Sequence, residues 1–275
     1  MEKVAAAVKE KGGKIFMQLF HTGRIALPDF LPDNAQPVAP SVVTAKGQNY
    51  TDDGMKDFVE PREITKEEIK QTIRDFATAA KNAVQAGFDG AELHAASGYI
   101  VQQFLSTNAN LRTDEYGGSI ENRARFLFET IDAMIEAVGA ERVGIKLSPR
   151  MGFNDIEETD ADALYEYVVK NLSGRNLAYL HVGDFGNQGW HAKLRPLFDG
   201  VYFANAGLTE ETGGKLLAEN GADAIVYGVL FLANPDLPER FAKNAELNPP
   251  AQSTFYTPGE KGYTDYPTLE QAAAA

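Results

Sequence analysis

The sequence predicts an α/β protein built from repeated strand–helix units. Short apolar runs alternate with amphipathic stretches along most of its length, a complete capping box opens one of those stretches, and 275 residues suffice for one large domain with a well-filled core. The apolar runs are residues 14–19, 90–94, 143–147, 178–182, 201–205 and 224–228, and each reads as a buried parallel strand. The first residues read as a polar helix, with Val4, Ala7 and Val8 at helical spacing. Between the first two strands, Thr65-Lys-Glu-Glu68 supplies the hydroxyl and carboxylate that satisfy free amides at a helix start. Ile69, Ile73, Phe76, Ala80 and Val84 then form one apolar face, and Gly87 ends the helix. Further helices are predicted at about 119–138, 160–172 and 209–220, the last stopped by Asn220-Gly221. Such a series closes either as an open doubly wound sheet or as a (β/α)8 barrel of the TIM type.

Two segments of this single domain, 1–275, lack periodicity. Residues 22–64 carry Pro28, Pro32, Pro37, Pro40 and Pro61 and are expected to form a long lid loop after the first strand. Residues 248–275 are rich in Pro, Gly and Tyr and are expected to wrap the domain, with the closing Gln-Ala-Ala-Ala-Ala frayed. With 39 acidic against 26 basic residues the net charge is −13, which repels phosphate backbones and anionic membrane surfaces. Nucleic acid and membranes are therefore not expected as partners, and small neutral molecules are. The sequence has no cysteine, which excludes thiolate catalysis and a disulfide framework and suits a reducing compartment. No run resembles a signal peptide or a membrane span, so the expected location is the cytoplasm.

The most informative run is His94-Ala-Ala-Ser-Gly-Tyr99, at the end of the second predicted strand. It aims an imidazole, a hydroxyl and a phenol from one strand end, and such groups polarise a carbonyl and donate a proton. The plain alternative is a core histidine with a backbone partner and a tyrosine packed on the next helix. No metal site is expected, because His21, His94, His181 and His191 show no ligand spacing with carboxylates. Asp114, Glu115 and Glu121 belong to a turn and a helix start, where negative charge complements the helix dipole.

Four blocks carry a resemblance: Gly12 to Arg24; Ala86 to Arg125, including Arg112-Thr-Asp-Glu-Tyr-Gly-Gly-Ser-Ile-Glu-Asn-Arg123; Val143-Gly-Ile-Lys-Leu-Ser-Pro149; and Ala233 to Arg240 with Thr254-Phe-Tyr256 and Gly262-Tyr-Thr-Asp-Tyr-Pro267. From Lys11 to Pro267 the chain resembles the Old Yellow Enzyme family of flavin-dependent ene reductases, (β/α)8 barrels that hold FMN at the carboxyl ends of their strands. The resemblance implies that NADPH or NADH reduces FMN, and that flavin N5 then passes hydride to the β-carbon of an α,β-unsaturated carbonyl or nitro compound. It assigns His94 to hydrogen bonding the substrate oxygen and Tyr99 to proton donation, with Ser97 and Tyr256 contacting substrate. One oriented donor at a developing oxyanion is worth about 3–4 kcal/mol. On the cofactor side it assigns Gln18 and Lys146 to the polar edge of the ring, and Ala206, Gly207, Gly228 and Val229 to the phosphate. Gln18, being polar and buried, is expected to need a partner there.

The chain departs from the family pattern at four of these positions. Ser97 replaces an Asn or a second His, and Lys146 replaces an Arg, keeping the charge and losing the planar fork. Val229 stands where an Arg grips the phosphate, a loss of about 1.5–3 kcal/mol. Ala206 stands in a Gly-rich turn, and a left-handed conformation there would cost roughly 1–2 kcal/mol. The first two βα units of the family barrel have no counterpart, so the expected fold is an incomplete, N-terminally truncated TIM barrel with about six of eight units. The strands at 14–19 and 224–228 would then expose backbone and apolar edges, to be covered by a second copy or a complementing chain. Two readings stand beside ene reduction. One is a degenerate or truncated flavoprotein with weak or no FMN binding, serving as a non-catalytic fragment or assembly module. The other is a Schiff-base aldolase using Lys146.

Overall fold

The structure is a computed structural model and describes residues 1–274. The chain opens with α1 (Glu2–Glu10) and β1 (Phe16–Leu19), then makes an excursion holding four short strands. These are β2 (Val38–Ala39), β3 (Gln48–Thr51), β4 (Gly54–Asp57) and β5 (Arg62–Glu63). Strands and helices then alternate: α2 (Lys66–Gln85), β6 (Gly90–Ala95), α3 (Ile100–Leu105), α4 (Ile120–Val138), β7 (Val143–Leu147), α5 (Ala161–Leu172) and β8 (Tyr179–Gly183). They are followed by α6 (Trp190–Leu194), β9 (Tyr202–Asn205), α7 (Glu210–Ala218), β10 (Ala224–Val226), α8 (Val229–Ala233), α9 (Leu237–Ala242) and α10 (Leu269–Ala273).

Six strands form one curled parallel sheet in the order β1-β6-β7-β8-β9-β10, an α/β half-barrel. They are the six apolar runs, with starts displaced by at most two residues. The capping box at Thr65 forms as expected, and Ile69, Ile73, Phe76 and Ala80 are buried; Ala83 is buried in place of Val84. The main core lies between the outer face of the sheet and helices α2, α4 and α5, where Leu93, Ile145 and Leu180 meet Ile73, Leu127 and Leu164. Among the described residues β1 and β10 are the sheet's edges, and they are also its least buried strands.

The inner face is layered by the two-residue period of the strands. Near the strand starts, Tyr179 stacks on Phe203 with centroids 4.4 Å apart and meets Phe16 edge-on at 5.2 Å. Gly144 pairs with Tyr179, and a Cβ there would lie 2.5 Å from its ring, so only glycine leaves room for this apolar floor. Polar residues stand on the floor. Gln18 pairs with Glu92, and His94, Lys146 and His181 occupy successive registered positions on β6, β7 and β8.

The excursion from 22 to 64 differs from a featureless loop. Pro28 and Pro32 start 3-10 turns, β3 and β4 form an antiparallel hairpin, and Ile25, Leu27, Ala45 and Phe58 form a small core of their own. Arg24 is fully buried within it and donates to the carbonyls of Val43, Asn154 and Asp155. Such turns leave no periodic trace in a sequence. Before the closing run, Thr268 caps α10 through a capping box with Gln271, and the Leu269 amide donates to Asp236. Ala275 of that run lies outside the described residues. Among the described residues no helix is long and apolar enough to cross a membrane, and no group of three or more His, Asp or Glu is placed to hold a metal.

Candidate active site

The run that ends β6 delivers two rings to one place. All six residues of β6 are buried, so His94 sits at the carboxyl end of a rigid strand, and Tyr99 is the N-cap residue of α3. The imidazole meets the Tyr99 ring edge-on at 5.1 Å between centroids, with an interplanar angle of 87°. Phe20, just past the end of β1, lies 5.2 Å from Tyr99 and 6.2 Å from His94 and completes the cluster.

The electrostatics leave one neutral and one protonated group. Burial, reinforced by the positive charge of Lys146, pushes His94 down to about 4, so the imidazole is neutral at pH 7 and carries a single N–H. Its Nδ1 is buried with no hydrogen-bond partner among the described residues. Burial raises the Tyr99 phenol above its ordinary value, with a further contribution from the nearby Tyr256. Tyr99 is therefore a proton holder throughout the neutral range.

Beneath these rings lies a buried carboxylate held by two side chains. Glu92 is buried, takes the Gln18 amide nitrogen at 2.6 Å on one oxygen, and meets His181 Nδ1 at 3.0 Å with the other. Burial works to raise the Glu92 carboxyl, but the bonds from His181 and Gln18 and the charge of Lys146 outweigh it, and the group stays below the ordinary carboxylate range. Lys146 is half-buried, and burial lowers its ammonium while Glu92 raises it. Among the described residues Lys146 has neither a hydrogen bond nor an ion pair. Gln18 corrects one expectation. It is exposed, because β1 is an edge strand whose inner face is uncovered, and Glu92 supplies the partner for its amide.

The other named positions fall into two groups. Ser97 lies in the same turn as His94 and Tyr99 at φ +57°, with its hydroxyl 3.7 Å from the Met151 sulfur. Tyr256 is 95% exposed on the tail yet close enough to Tyr99 for its charge to be felt there. Ala206, Gly207, Gly228 and Val229 come together around a cavity of about 310 Å³ at the carboxyl ends of β9 and β10. Gly207 and Gly228 present open space on their Cβ side. Ala206 takes φ +83°, a conformation that costs a side-chain-bearing residue roughly 1 kcal/mol or more. Ala206→Gly is accordingly expected to raise stability by about 0.5–1 kcal/mol, or a few degrees in Tm, and a thermal melt checks it.

Residues 1–248 match the model of the family described as NADH:flavin oxidoreductase / NADH oxidase. The chain belongs to this family. A protein of Leishmania infantum named probable flavin mononucleotide-dependent alkene reductase is 44% identical over 276 residues, covering 97% of this chain and 76% of that protein. 12-oxophytodienoate reductase 1 of Oryza sativa subsp. japonica is 44% identical over 279 residues, covering 98% of this chain and 72% of that protein. The solved structure of morphinone reductase superposes with a TM-score of 0.93 at 41% identity, covering 98% of this chain and 76% of that chain. A structure of morphinone reductase in complex with tetrahydroNAD gives the same TM-score at 42% identity.

The residues of this family member suit a flavin mononucleotide. The ring's pyrimidine edge offers one N–H donor flanked by acceptors, and among the described residues the Gln18 amide oxygen and the Lys146 ammonium have no partner. The open sides of Gly207 and Gly228 let a phosphate approach the backbone of this cavity closely. Several residues of this neighbourhood escape sequence reasoning. Glu92 is hidden inside an apolar run, Phe20 follows the strand as an unremarked aromatic, and Gln102 and Gln103 lie in a helix too short to show a periodic face. Two adjacent glutamines between apolar residues are the one available signal.

Proposed function

We propose that the chain is an FMN-dependent oxidoreductase that reduces the C=C bond of α,β-unsaturated carbonyl or nitro compounds with NAD(P)H. The observation that carries this reading is the neutral imidazole of His94 set edge-on against the protonated phenol of Tyr99, in a member of a flavin oxidoreductase family. FMN, when bound and reduced by NAD(P)H, supplies the hydride. His94 donates its one N–H to the substrate oxygen and stabilises the negative charge that gathers there. Tyr99 holds the proton for the α-carbon, and its raised pKa keeps that proton in place until substrate is bound. Ser97 and Tyr256 border the substrate. Gln18 and Lys146 would hold the ring's polar edge, and Ala206, Gly207, Gly228 and Val229 the phosphate.

The packed excursion 22–64 supports its reading as a cover, because Tyr99 packs against its small core. The edge strands β1 and β10 carry half-exposed apolar residues, which supports the view that further polypeptide, from a second copy or another chain, covers them. The lack of cysteine supports a reducing, cytoplasmic setting, and the acidic charge supports a small molecule rather than nucleic acid or a membrane as partner. The test is a visible spectrum of the protein with micromolar FMN, followed by anaerobic NADPH and then cyclohexenone. The expected result is bound yellow flavin that bleaches and then recovers. His94→Ala is expected to slow the recovery about a hundredfold or more. Recovery at the original rate in that variant overturns the role of His94, and absence of bound flavin overturns the reading.

A further inference from the structure

The six residues of α3 are all buried, and two of them are glutamines with no exposed surface at all. Burying an amide is unfavourable unless its donors and acceptor are satisfied, so the partners of these side chains deserve a reason. Gln102 accepts the Gly98 N–H at 2.8 Å and donates its two hydrogens to the Ser148 carbonyl and to Glu158, with the Tyr165 hydroxyl 3.2 Å from the same nitrogen. Gln103 accepts the Arg24 N–H at 3.1 Å and donates to the carbonyls of Gly98 at 2.7 Å and Thr22 at 3.0 Å. Backbone N–H groups only donate and carbonyls only accept, so neither amide can be flipped without losing these bonds.

Both polar groups of Gly98 are thus clamped by consecutive residues of the helix that follows it. Gly98 lies at φ +75°, and a Cβ there would fall 2.6 Å from Asn154, so the position admits only glycine. Ser97 before it is also left-handed, with its N–H given to the Ser148 hydroxyl and its carbonyl accepting from the Asn154 amide at 2.8 Å. Two left-handed residues in succession are an unfavourable turn that surrounding bonds must hold. With Ala96, this turn is the whole link between the strand bearing His94 and the N-cap residue Tyr99.

We propose that Gln102 and Gln103 are positioning residues that hold the Ser97–Gly98 turn and thereby set the edge-on contact between His94 and Tyr99. Glu158 and Tyr165 support Gln102 from behind: the Tyr165 hydroxyl donates to Glu158 at 2.5 Å, and the carboxylate accepts from the Gln102 amide. The catalytic weight of the clamp rests on the reading of Tyr99 as proton donor, whereas its geometric role does not.

The experiment is therefore made in two arms. In the first, the His94 ring proton resonances are followed by NMR in the flavin-free chain and in Gln102→Met. The two rings stand edge to face at 5.1 Å, so a displaced Tyr99 ring moves these resonances while the fold, followed by melting, is retained. In the second, enone reduction by the FMN-loaded protein is expected to fall tenfold or more, because a displacement of about 1 Å at reacting groups costs on the order of a hundredfold. The solvent isotope effect is expected to rise as proton delivery becomes slower. Should Gln102→Met not fold, Gln103→Met decides, because it leaves the Gln102 bond to the Gly98 N–H in place and removes the hold on the Gly98 carbonyl. It is expected to shift the same resonances by less and to slow turnover two- to threefold. Unchanged His94 resonances in the folded variant overturn the proposal. Shifted resonances with unchanged turnover retain the clamp and count against Tyr99 as the donor.

Discussion

Tyr99→Phe is expected to slow enone reduction by about 10²–10⁴-fold while leaving the fold intact, which corresponds to roughly 3–5 kcal/mol of lost transition-state stabilisation. The phenol is half-buried, packs against Phe20 and His94, and makes no side-chain hydrogen bond within the described residues, so its removal breaks no structural bond. The pH profile carries the sign. Burial raises Tyr99 above the ordinary tyrosine value, so the wild-type rate falls only when pH climbs past that raised value and the phenol is lost as an acid. His94 titrates at about 4, so its neutral form persists at every pH above that. The wild-type rate should accordingly be flat from about pH 5 to 9 in these two groups. In Tyr99→Phe the proton must come from solvent, and the surviving rate should decline steadily as pH rises. A phenylalanine variant that keeps the full rate and the flat profile removes the phenol from the reaction.

The second large effect lies at the opposite end of the site. Val229→Arg is expected to tighten FMN binding about ten- to a hundredfold, by roughly 1.5–3 kcal/mol, through a charge-assisted bond to the phosphate. Val229 is 47% exposed and is the first residue of α8, beside the cavity that Ala206, Gly207 and Gly228 also line. An arginine there displaces no packed neighbour and leaves its stem along the surface. Quenching of FMN fluorescence on titration measures the affinity, and riboflavin, which lacks the phosphate, is the control. A gain for FMN alone is expected, and an equal gain for both ligands means that the phosphate lies elsewhere.

Strand identity was legible because each sheet strand is a short apolar run bounded by turn residues, and the α2 start was legible because a capping box needs two particular side chains three apart. The meeting of His94 and Tyr99 followed from one strand end and one tight turn, both local in sequence. The supports of that meeting did not, because they come from afar: Ser148, Asn154 and Glu158 reach residues 97 to 102 from the β7–α5 loop. Gln18 shows the same limit from the other side. Its burial depends on which strand lies next to β1 in space, and no local pattern encodes that. The excursion 22–64 was opaque because Arg24, a charged residue, is what it folds around.

Helix α3 has no solvent face, and its side chains bind it to the sheet, to the excursion and to the β7–α5 loop at once. Its amides should then exchange with deuterium only through the rarest, whole-molecule openings, alongside those of β6 and β8. His94 and Tyr99 are thus anchored in the least breathing part of the protein. Whatever motion admits a substrate must fall to the periphery, to Phe20 at an edge strand and Tyr256 on the tail, while the chemistry keeps its geometry until the domain itself melts.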